Sequence, residues 1–315
     1  MQNFNFSVPQ DIIVGAGSIK KLGECATKLG GTHALIISGP HLNKMGLVDT
    51  CKQSLADVGI PADAFTETEG NPSVETVEKA TKLYKECGAD FIVAFGGGSP
   101  MDVAKAVGVI AKYGGSITEY EGGGKVPGPI VPQIAIPTTA GTGSEVTAFS
   151  VITDHSRNYK LTVFSYELIP KYAILDPDLI ATAPASVAAA CGMDAFIHAC
   201  ESYISTDASP FSEAMSEKAM ELIGRSIRAY VANRTDVDAA SDMVFYPQLG
   251  VKLCSMAGGG VQKIYMVLLR EPSRRDRSGS DLFHLRDGFE IKMNFDRNVS
   301  CFIFVNALMH DDFFD

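Results

Sequence analysis

The feature that most constrains this chain is the alternation, through its first half, of short β-branched apolar runs with longer helical patterns. "DIIVGAG" reads as a strand and turn, followed by the helical "SIKKLGECATKLG". "HALIISG" is a strand and "MGLVDTCKQSLADVG" a helix. In "VETVEKATKLYKECG", Val74, Val77, Ala80, Leu83 and Tyr84 fall on one helical stripe. "ADFIVAFGGG" is a continuous buried-strand run, "PMDVAKAVGVIAKYGG" a helix closed by glycines, and "PQIAIPTTAG" another strand. Strands that alternate with helices pair in parallel, because each crossover returns the chain to the same edge of the sheet. The expectation is an α/β domain with helices on both faces.

After "AILDPDLIATAPA" the pattern changes, and no strand is evident from Pro184 to about Arg234. Ala-rich helical segments replace it, one of them opened by Ser209 and Pro210, a cap residue followed by a proline suited to the first turn. From about Met243 neither the helical nor the strand period persists. Three regions result: an α/β domain over 1–183, the start of an all-α domain over 184–243, and an atypical tail over 244–315. A chain of 315 residues is long enough for two domains.

Bulk composition excludes several functions. A net charge of -10 opposes nucleic-acid binding, which wants a basic surface. No apolar run reaches membrane-spanning length, and the start "MQNFNFSVPQ" lacks the basic and apolar regions of a secretory signal. Seven scattered cysteines, an odd number without CxxC spacing, suit reduced thiols in the cytoplasm.

Three segments offer chemistry. In "FIVAFGGGSPMDVAKA" a strand runs into three glycines, with Ser99 expected as N-cap and Pro100 as the first helical residue. Glycines admit close backbone approach and a helix start favours phosphate, although an ordinary cap after a strand reads equally well. Asp102 would repel a phosphate unless it faced another part of the ligand. "IPTTAGTGSEVTAFSVIT" ends a strand in a hydroxyl-rich loop, suited to a polar cofactor, although a plain loop is the commoner explanation. "VGAGSIKKLG" lacks the third glycine of a dinucleotide fingerprint and reads as a turn. In "GMDAFIHACE", Asp194 and His198 lie four residues apart and so stack on one helix face, with Glu201 a further turn along. A lone histidine on an apolar helix is more often a core residue, but a carboxylate there needs a partner, and a cation would serve. His33, His41, His155, His284 and His310 form no paired spacing.

Taken together, "GGGSPMDVAKA", "PTTAGTGSEVT", "ILDPDL", "GMDAFIHACESYIS" and the "NPS" at Asn71 resemble the iron-containing, or group III, alcohol dehydrogenase family over about Phe4 to Met243. The resemblance implies an N-terminal dinucleotide-binding parallel-sheet domain, then a helical metal-binding domain that here looks incomplete. It implies that Gly97, Gly98 and Ser99 hold a pyrophosphate, with Asp102 toward the nicotinamide. Thr138, Thr139, Thr147, Asn71, Lys160 and Leu179 would line the cofactor. Asp194 and His198 would be two of four ligands to a divalent metal, iron or zinc, acting as a Lewis acid on a small primary alcohol, diol or aldehyde while hydride passes to or from NAD or NADP. Family members commonly oligomerise.

The sequence departs from the family at two places. NAD-preferring members usually carry an aspartate at the end of the second strand; here Gly39 and Pro40 stand there, which admits NADP and tilts the balance toward it. After Met243 the two further histidine segments find no match, and the chain is short for the family. The expectation is that residues from about Val244 derive from a shifted reading frame or another rearrangement. A truncated relative that at most binds nucleotide is therefore the competing reading. A glycerol-dehydrogenase-like or dehydroquinate-synthase-like relative is a third.

Overall fold

The computed structural model describes residues 10–204 and 208–244, together with the backbone of strands at 281–285, 289–294 and 302–306. Its centre is a six-stranded sheet of β1 (Asp11–Val14), β2 (Ala34–Ile37), β3 (Ala62–Phe65), β4 (Phe91–Gly96), β6 (Gln133–Pro137) and β9 (Tyr172–Leu175). The spatial order is β1-β9-β6-β4-β2-β3, with every pair parallel. The continuous apolar runs seen in the sequence are the strands buried on both faces, as β2 and β4 are along their whole length.

The helices cover both faces, as the alternation requires. Helices α1 (Leu22–Leu29), α2 (Pro40–Lys44) and α3 (Leu47–Ala56) contribute Leu22, Cys25, Leu42, Val48, Cys51 and Leu55 to one apolar layer. Helices α4 (Val74–Cys87) and α5 (Gly98–Tyr113) contribute Val77, Ala80, Tyr84, Val103 and Val107 to the other. The stripe read along α4 is the face that packs there, with Val74 and Leu83 at its margin. Each such side chain, fully buried, is worth about 1.5–3 kcal/mol of transfer free energy.

Two elements exceed the sequence reading. Ala62–Phe65 pairs as an edge strand, although its run "ADAF" is too short and too polar to announce itself. "FSVITD" and "YKLTVF" form an antiparallel hairpin, β7 (Phe149–Asp154) and β8 (Tyr159–Phe164), joined in a small sheet by β5 (Gly122–Gly123). The hairpin turn is held by Asp154, which accepts from the Ser156 amide at 2.9 Å and from Arg157 Nε at 2.6 Å.

Past the short helix α6 (Pro177–Ile180) come α7 (Ala185–Ile204) and α8 (Pro210–Ala232). Ser209 caps α8 through its hydroxyl, and Pro210 occupies the first turn, as the sequence indicates. A further helical stretch covers 237–244. These helices share a core with the sheet: Ala195, Ile223 and Tyr230 pack with Ala173 and Leu175 of β9, and Tyr230 donates its hydroxyl to the Ile180 carbonyl at 2.8 Å.

In the region where neither period persists, three segments pair as antiparallel strands, β10 (Asp281–Leu285), β11 (Phe289–Asn294) and β12 (Phe302–Asn306). Their aromatic and β-branched content suits strands despite the poor alternation. The rest of the tail, including 245–280 and His310, lies outside the described residues. So does most of the segment for which a shifted frame is expected.

Candidate functional site

The chain runs outward from β2 to β3, then returns to β4 and proceeds through β6 to β9 on the other side. The order therefore reverses between β2 and β4, and a crevice opens at the carboxyl ends of these strands, where doubly wound sheets take ligands. Gly39 follows β2, the glycine triplet ends β4, and Thr138 follows β6, its amide bonded to the Gly96 carbonyl at 2.9 Å.

Helix α5 starts earlier than the sequence suggests. Its N-cap is Gly97, with no side-chain cap, and Ser99 and Pro100 lie inside the first turn. A Gly97 cap contributes no side-chain oxygen, so the first amides of the 16-residue helix keep their donor capacity for a ligand. The turn into the helix depends on Gly96, whose φ of 146 lies where side chains are rarely tolerated, and a Cβ there would come within 2.7 Å of Pro100.

The threonine loop is fastened from beneath by a residue the sequence reading passed over. Lys105 is fully buried on α5, and its ammonium donates to the carbonyls of Ser144 at 2.6 Å, Phe149 at 2.7 Å and Thr147 at 3.0 Å. Three protons thus meet three loop carbonyls, and the Ser144 and Thr147 hydroxyls lie at 3.1 and 3.2 Å. Burial lowers the Lys105 amine to about 8, opposed by the nearby charges of Asp102 and Glu145. Asp102, partly buried, accepts from the Ser144 hydroxyl at 3.0 Å; desolvation carries its carboxyl up to about 6 against the pull of Lys105. Glu145 is buried, and burial raises it to about 7. The available signal was a single charge inside the otherwise apolar "VAKAVGVIA".

The remaining expected cofactor residues are distributed around this edge. Thr138 and Thr147 are buried, and Thr139 stands over the glycines, its hydroxyl 3.2 Å from where a Cβ on Gly97 would be. The hairpin brings Lys160 to Asn71, Nζ donating to Oδ1 at 2.7 Å, and both side chains are exposed. Asn71 itself holds a φ of 55. Leu179 is buried in the apolar layer with Ile19 and Ile174. Beside Gly39, the buried hydroxyls of Ser38 and Thr68 lack a hydrogen-bond partner among the described residues.

Helix α7 carries the expected metal donors. Asp194 Oδ2 and His198 Nδ1 are 3.7 Å apart, close enough for one cation with bonds of about 2.1 Å to reach both. The His198 Nδ1 atom is buried yet has no hydrogen-bond partner among the described residues, and buried polar atoms ordinarily have one. Their side chains remain 49% and 31% exposed, so the pair stands on an accessible face. Glu201 feels both, its carboxyl raised by burial and by Asp194 and lowered by His198. Among the described residues, three donors gather within 4.8 Å only at His33, Asp63 and Cys87, which lie elsewhere.

The two parts of the site touch directly. A Cβ on Gly141, in the threonine loop, would lie 2.3 Å from the carbonyl oxygen of Cys191, one turn before Asp194 on α7. Only glycine lets the loop backbone lie against the helix there.

The fold and the site define a doubly wound α/β class of protein, in which a glycine-rich crevice abuts a helix carrying an aspartate and a histidine side by side. The family model described as "Iron-containing alcohol dehydrogenase" matches residues 9–177, and that described as "Fe-containing alcohol dehydrogenase family, C-terminal" matches residues 188–262. The chain belongs to the iron-containing alcohol dehydrogenase family. The second match reaches past Met243, the end of the resemblance read from the sequence.

Among its relatives are the NAD-dependent methanol dehydrogenase of Bacillus methanolicus, 36% identical over 76% of this chain and 63% of that protein, and the choline dehydrogenase of Bacillus subtilis, 40% identical over 77% and 61%. A crystal structure of a 1,3-propanediol oxidoreductase superposes with a TM-score of 0.76 at 35% identity, covering 82% of this chain and 66% of that one. The NADH-dependent butanol dehydrogenase A of Thermotoga maritima gives the same TM-score at 27% identity, with the same coverage. The chain therefore spans less than two thirds of the length of these relatives. Among the described residues no helix is long and apolar enough to cross a membrane, and Cys25, Cys51, Cys87, Cys191 and Cys200 carry free thiols.

Proposed function

We propose that this chain binds NAD(P) at the glycine and threonine edge of its sheet and a divalent cation, iron or zinc, at Asp194 and His198, and that it serves an alcohol dehydrogenase acting on a small primary alcohol, a diol or the corresponding aldehyde. The observation that carries the reading is the contact of Gly141 with α7, which sets the cofactor loop against the helix bearing both donors. The uncapped start of α5 at Gly97 would receive the pyrophosphate, and Thr139 would close over it. Lys160, fixed by Asn71, adds a positive charge at the mouth of the crevice. When bound, the nicotinamide supplies or accepts the hydride, and the cation supplies Lewis acidity toward the alcohol oxygen. The protein's own part is to orient both groups and to hold Asp194 and His198 one turn apart on a rigid helix. Reduced thiols suit the cytoplasm as its location.

Of the two dinucleotides, NADP fits the end of β2 as well as NAD. Gly39 and Pro40 put no carboxylate where an adenosine 2′-phosphate would lie, and the buried Ser38 and Thr68 hydroxyls beside them have no hydrogen-bond partner among the described residues.

The test is metal analysis of the purified chain together with titration of NADH and NADPH by fluorescence, followed by an NAD(P)-linked assay with propanol and 1,3-propanediol. Stoichiometric metal, nucleotide binding and turnover are expected. A chain that binds neither nucleotide nor metal would overturn the proposal. A second reading is favoured by the exposure of the donor pair: a relative that binds nucleotide without turning over. Nucleotide binding with no turnover in metal-supplemented buffer would select it.

A further inference from the structure

The geometry points to a second divalent-cation site, for a thiophilic metal of the zinc class, formed by His33, Asp63 and Cys87 at the edge of the sheet opposite the cofactor loops. It does not rest on the proposed function.

The three residues come from three elements. His33 immediately precedes β2, Asp63 lies on β3 in register with Leu35, and Cys87 is the last residue of α4. These are the amino ends of the strands, whereas Gly39, Gly97 and Thr138 stand at the carboxyl ends. One imidazole nitrogen, one carboxylate oxygen and the thiol sulfur all lie within 4.8 Å of one another. Three points so spaced sit within about 2.8 Å of a common centre, and shifts of about 0.5–0.8 Å at most reach zinc bond lengths of about 2.0–2.3 Å.

The framework around them is fixed. The Asp90 carboxylate accepts from the Thr32 amide at 3.0 Å, the Thr32 hydroxyl at 2.7 Å and the His33 amide at 3.0 Å, which pins the turn that presents the imidazole. His33 Nε2 already meets Asp63 Oδ2 at 2.9 Å.

Local electrostatics favour a cation at this corner. Cys87 stands at the carboxyl end of a 14-residue helix, the negative pole of its dipole. Burial and the Asp63 charge both hold its thiol above the usual range, so it stays protonated and donates to the Tyr84 carbonyl at 3.4 Å. A divalent cation reverses that preference. The S–H bond breaks, the proton leaves to solvent, a sulfur–metal bond forms, and nothing is oxidised or reduced. With the Asp63 side chain 51% and the His33 side chain 25% exposed, a fourth position faces water. As a mere surface ion pair, His33 and Asp63 would contribute no more than about 1 kcal/mol. Thiolate, imidazole and carboxylate together are a donor set that zinc and cobalt accept.

The experiment titrates the metal-free full-length chain with Co2+ at neutral pH, then competes with Zn2+. A thiolate-to-cobalt charge-transfer band in the near ultraviolet, saturating at one equivalent and displaced by Zn2+, is the expected result. The band should vanish in Cys87→Ser, and the affinity should fall at least 10-fold in His33→Ala and in Asp63→Asn. It should persist in the Asp194→Ala/His198→Ala double variant, which separates this site from the one on α7. Far-UV circular dichroism checks that each variant is folded. No band in the wild-type chain, or a band that survives Cys87→Ser, would overturn the proposal. So would affinities unmoved by both His33→Ala and Asp63→Asn.

Discussion

Replacing Lys105 by methionine keeps most of the side-chain volume and removes the ammonium that holds the threonine loop. Three carbonyls, at 2.6, 2.7 and 3.0 Å, lose their donor, and Asp102 and Glu145 lose the nearby positive charge. Breaking a buried charge network by deleting one partner costs about 3–5 kcal/mol. The cost should depend on pH. At pH 7 Lys105, with a value of about 8, is still mostly charged, while Asp102, at about 6, is largely ionised and Glu145, at about 7, partly so, and the variant leaves that negative charge uncompensated; at pH 5 both carboxyls are largely protonated, and only the carbonyls suffer. The chain contains no tryptophan, so urea unfolding is best followed by far-UV circular dichroism. With a slope of about 3 kcal/mol per molar urea, the midpoint should drop by about 1–1.7 M at pH 7 and by clearly less at pH 5. NADH binding, read by fluorescence below the unfolding transition, should weaken at least 10-fold because the loop loses its anchor. An equal midpoint shift at both pH values, or a folded variant with wild-type NADH affinity, would refute the reasoning.

Glu145→Gln should flatten the pH dependence of stability between about 4.5 and 7. A carboxyl whose folded-state value is raised stabilises the fold fully below its unfolded value and loses that contribution as pH climbs through the folded one, so wild-type stability should fall across this window, as urea midpoints will tell. Asp154, lowered to about 2 chiefly by Ser156 and Arg157, acts in the opposite sense and only below about pH 4. Gly39→Asp, at a backbone φ of -97 that any residue adopts, should shift binding toward NAD over NADP by at least 10-fold, measured by paired titrations. Gly141→Ala must push the loop off Cys191 and should cost about 1–3 kcal/mol in thermal or urea unfolding, while weakening nucleotide binding. His198→Ala should lower the metal content of the purified chain with little change in its unfolding midpoint, because the imidazole is 31% exposed and its Nδ1 holds no hydrogen bond among the described residues.

The parallel sheet was legible because β2, β4 and β6 are buried on both faces and so read as unbroken apolar runs. The hairpin of β7 and β8 was not. Its strands alternate between buried and half-buried positions after two exposed residues at the start of β8, and their serines, threonines and lysine read as loop. Asp194 and His198 were visible because helical spacing places them side by side. Lys105 was hidden for the opposite reason. A lysine in a helix is ordinarily assigned to solvent, and its partners follow about forty positions later, in a loop whose path no local pattern gives. His33, Asp63 and Cys87 escape for the same reason, since parallel pairing and a helix return, not sequence spacing, bring them together.

On the proposed function, nucleotide binding and metal retention should be separable. The cofactor edge is set within the described residues: α5 starts at Gly97, Lys105 fastens the loop, and Gly141 seats that loop on α7. Its geometry depends on a buried, hydrogen-bonded network and should resist substitutions on the far side of α7. On α7 the two expected donors, Asp194 Oδ2 and His198 Nδ1, converge to 3.7 Å, and among the described residues no third donor gathers with them. Two protein ligands leave a four-coordinate cation half supplied, so metal affinity must depend on further donors, from water, substrate or other residues. Adding excess Fe2+ or Zn2+ should thus alter turnover far more than NADH affinity. Parallel changes in the two would mean that loop and helix report a single linked site.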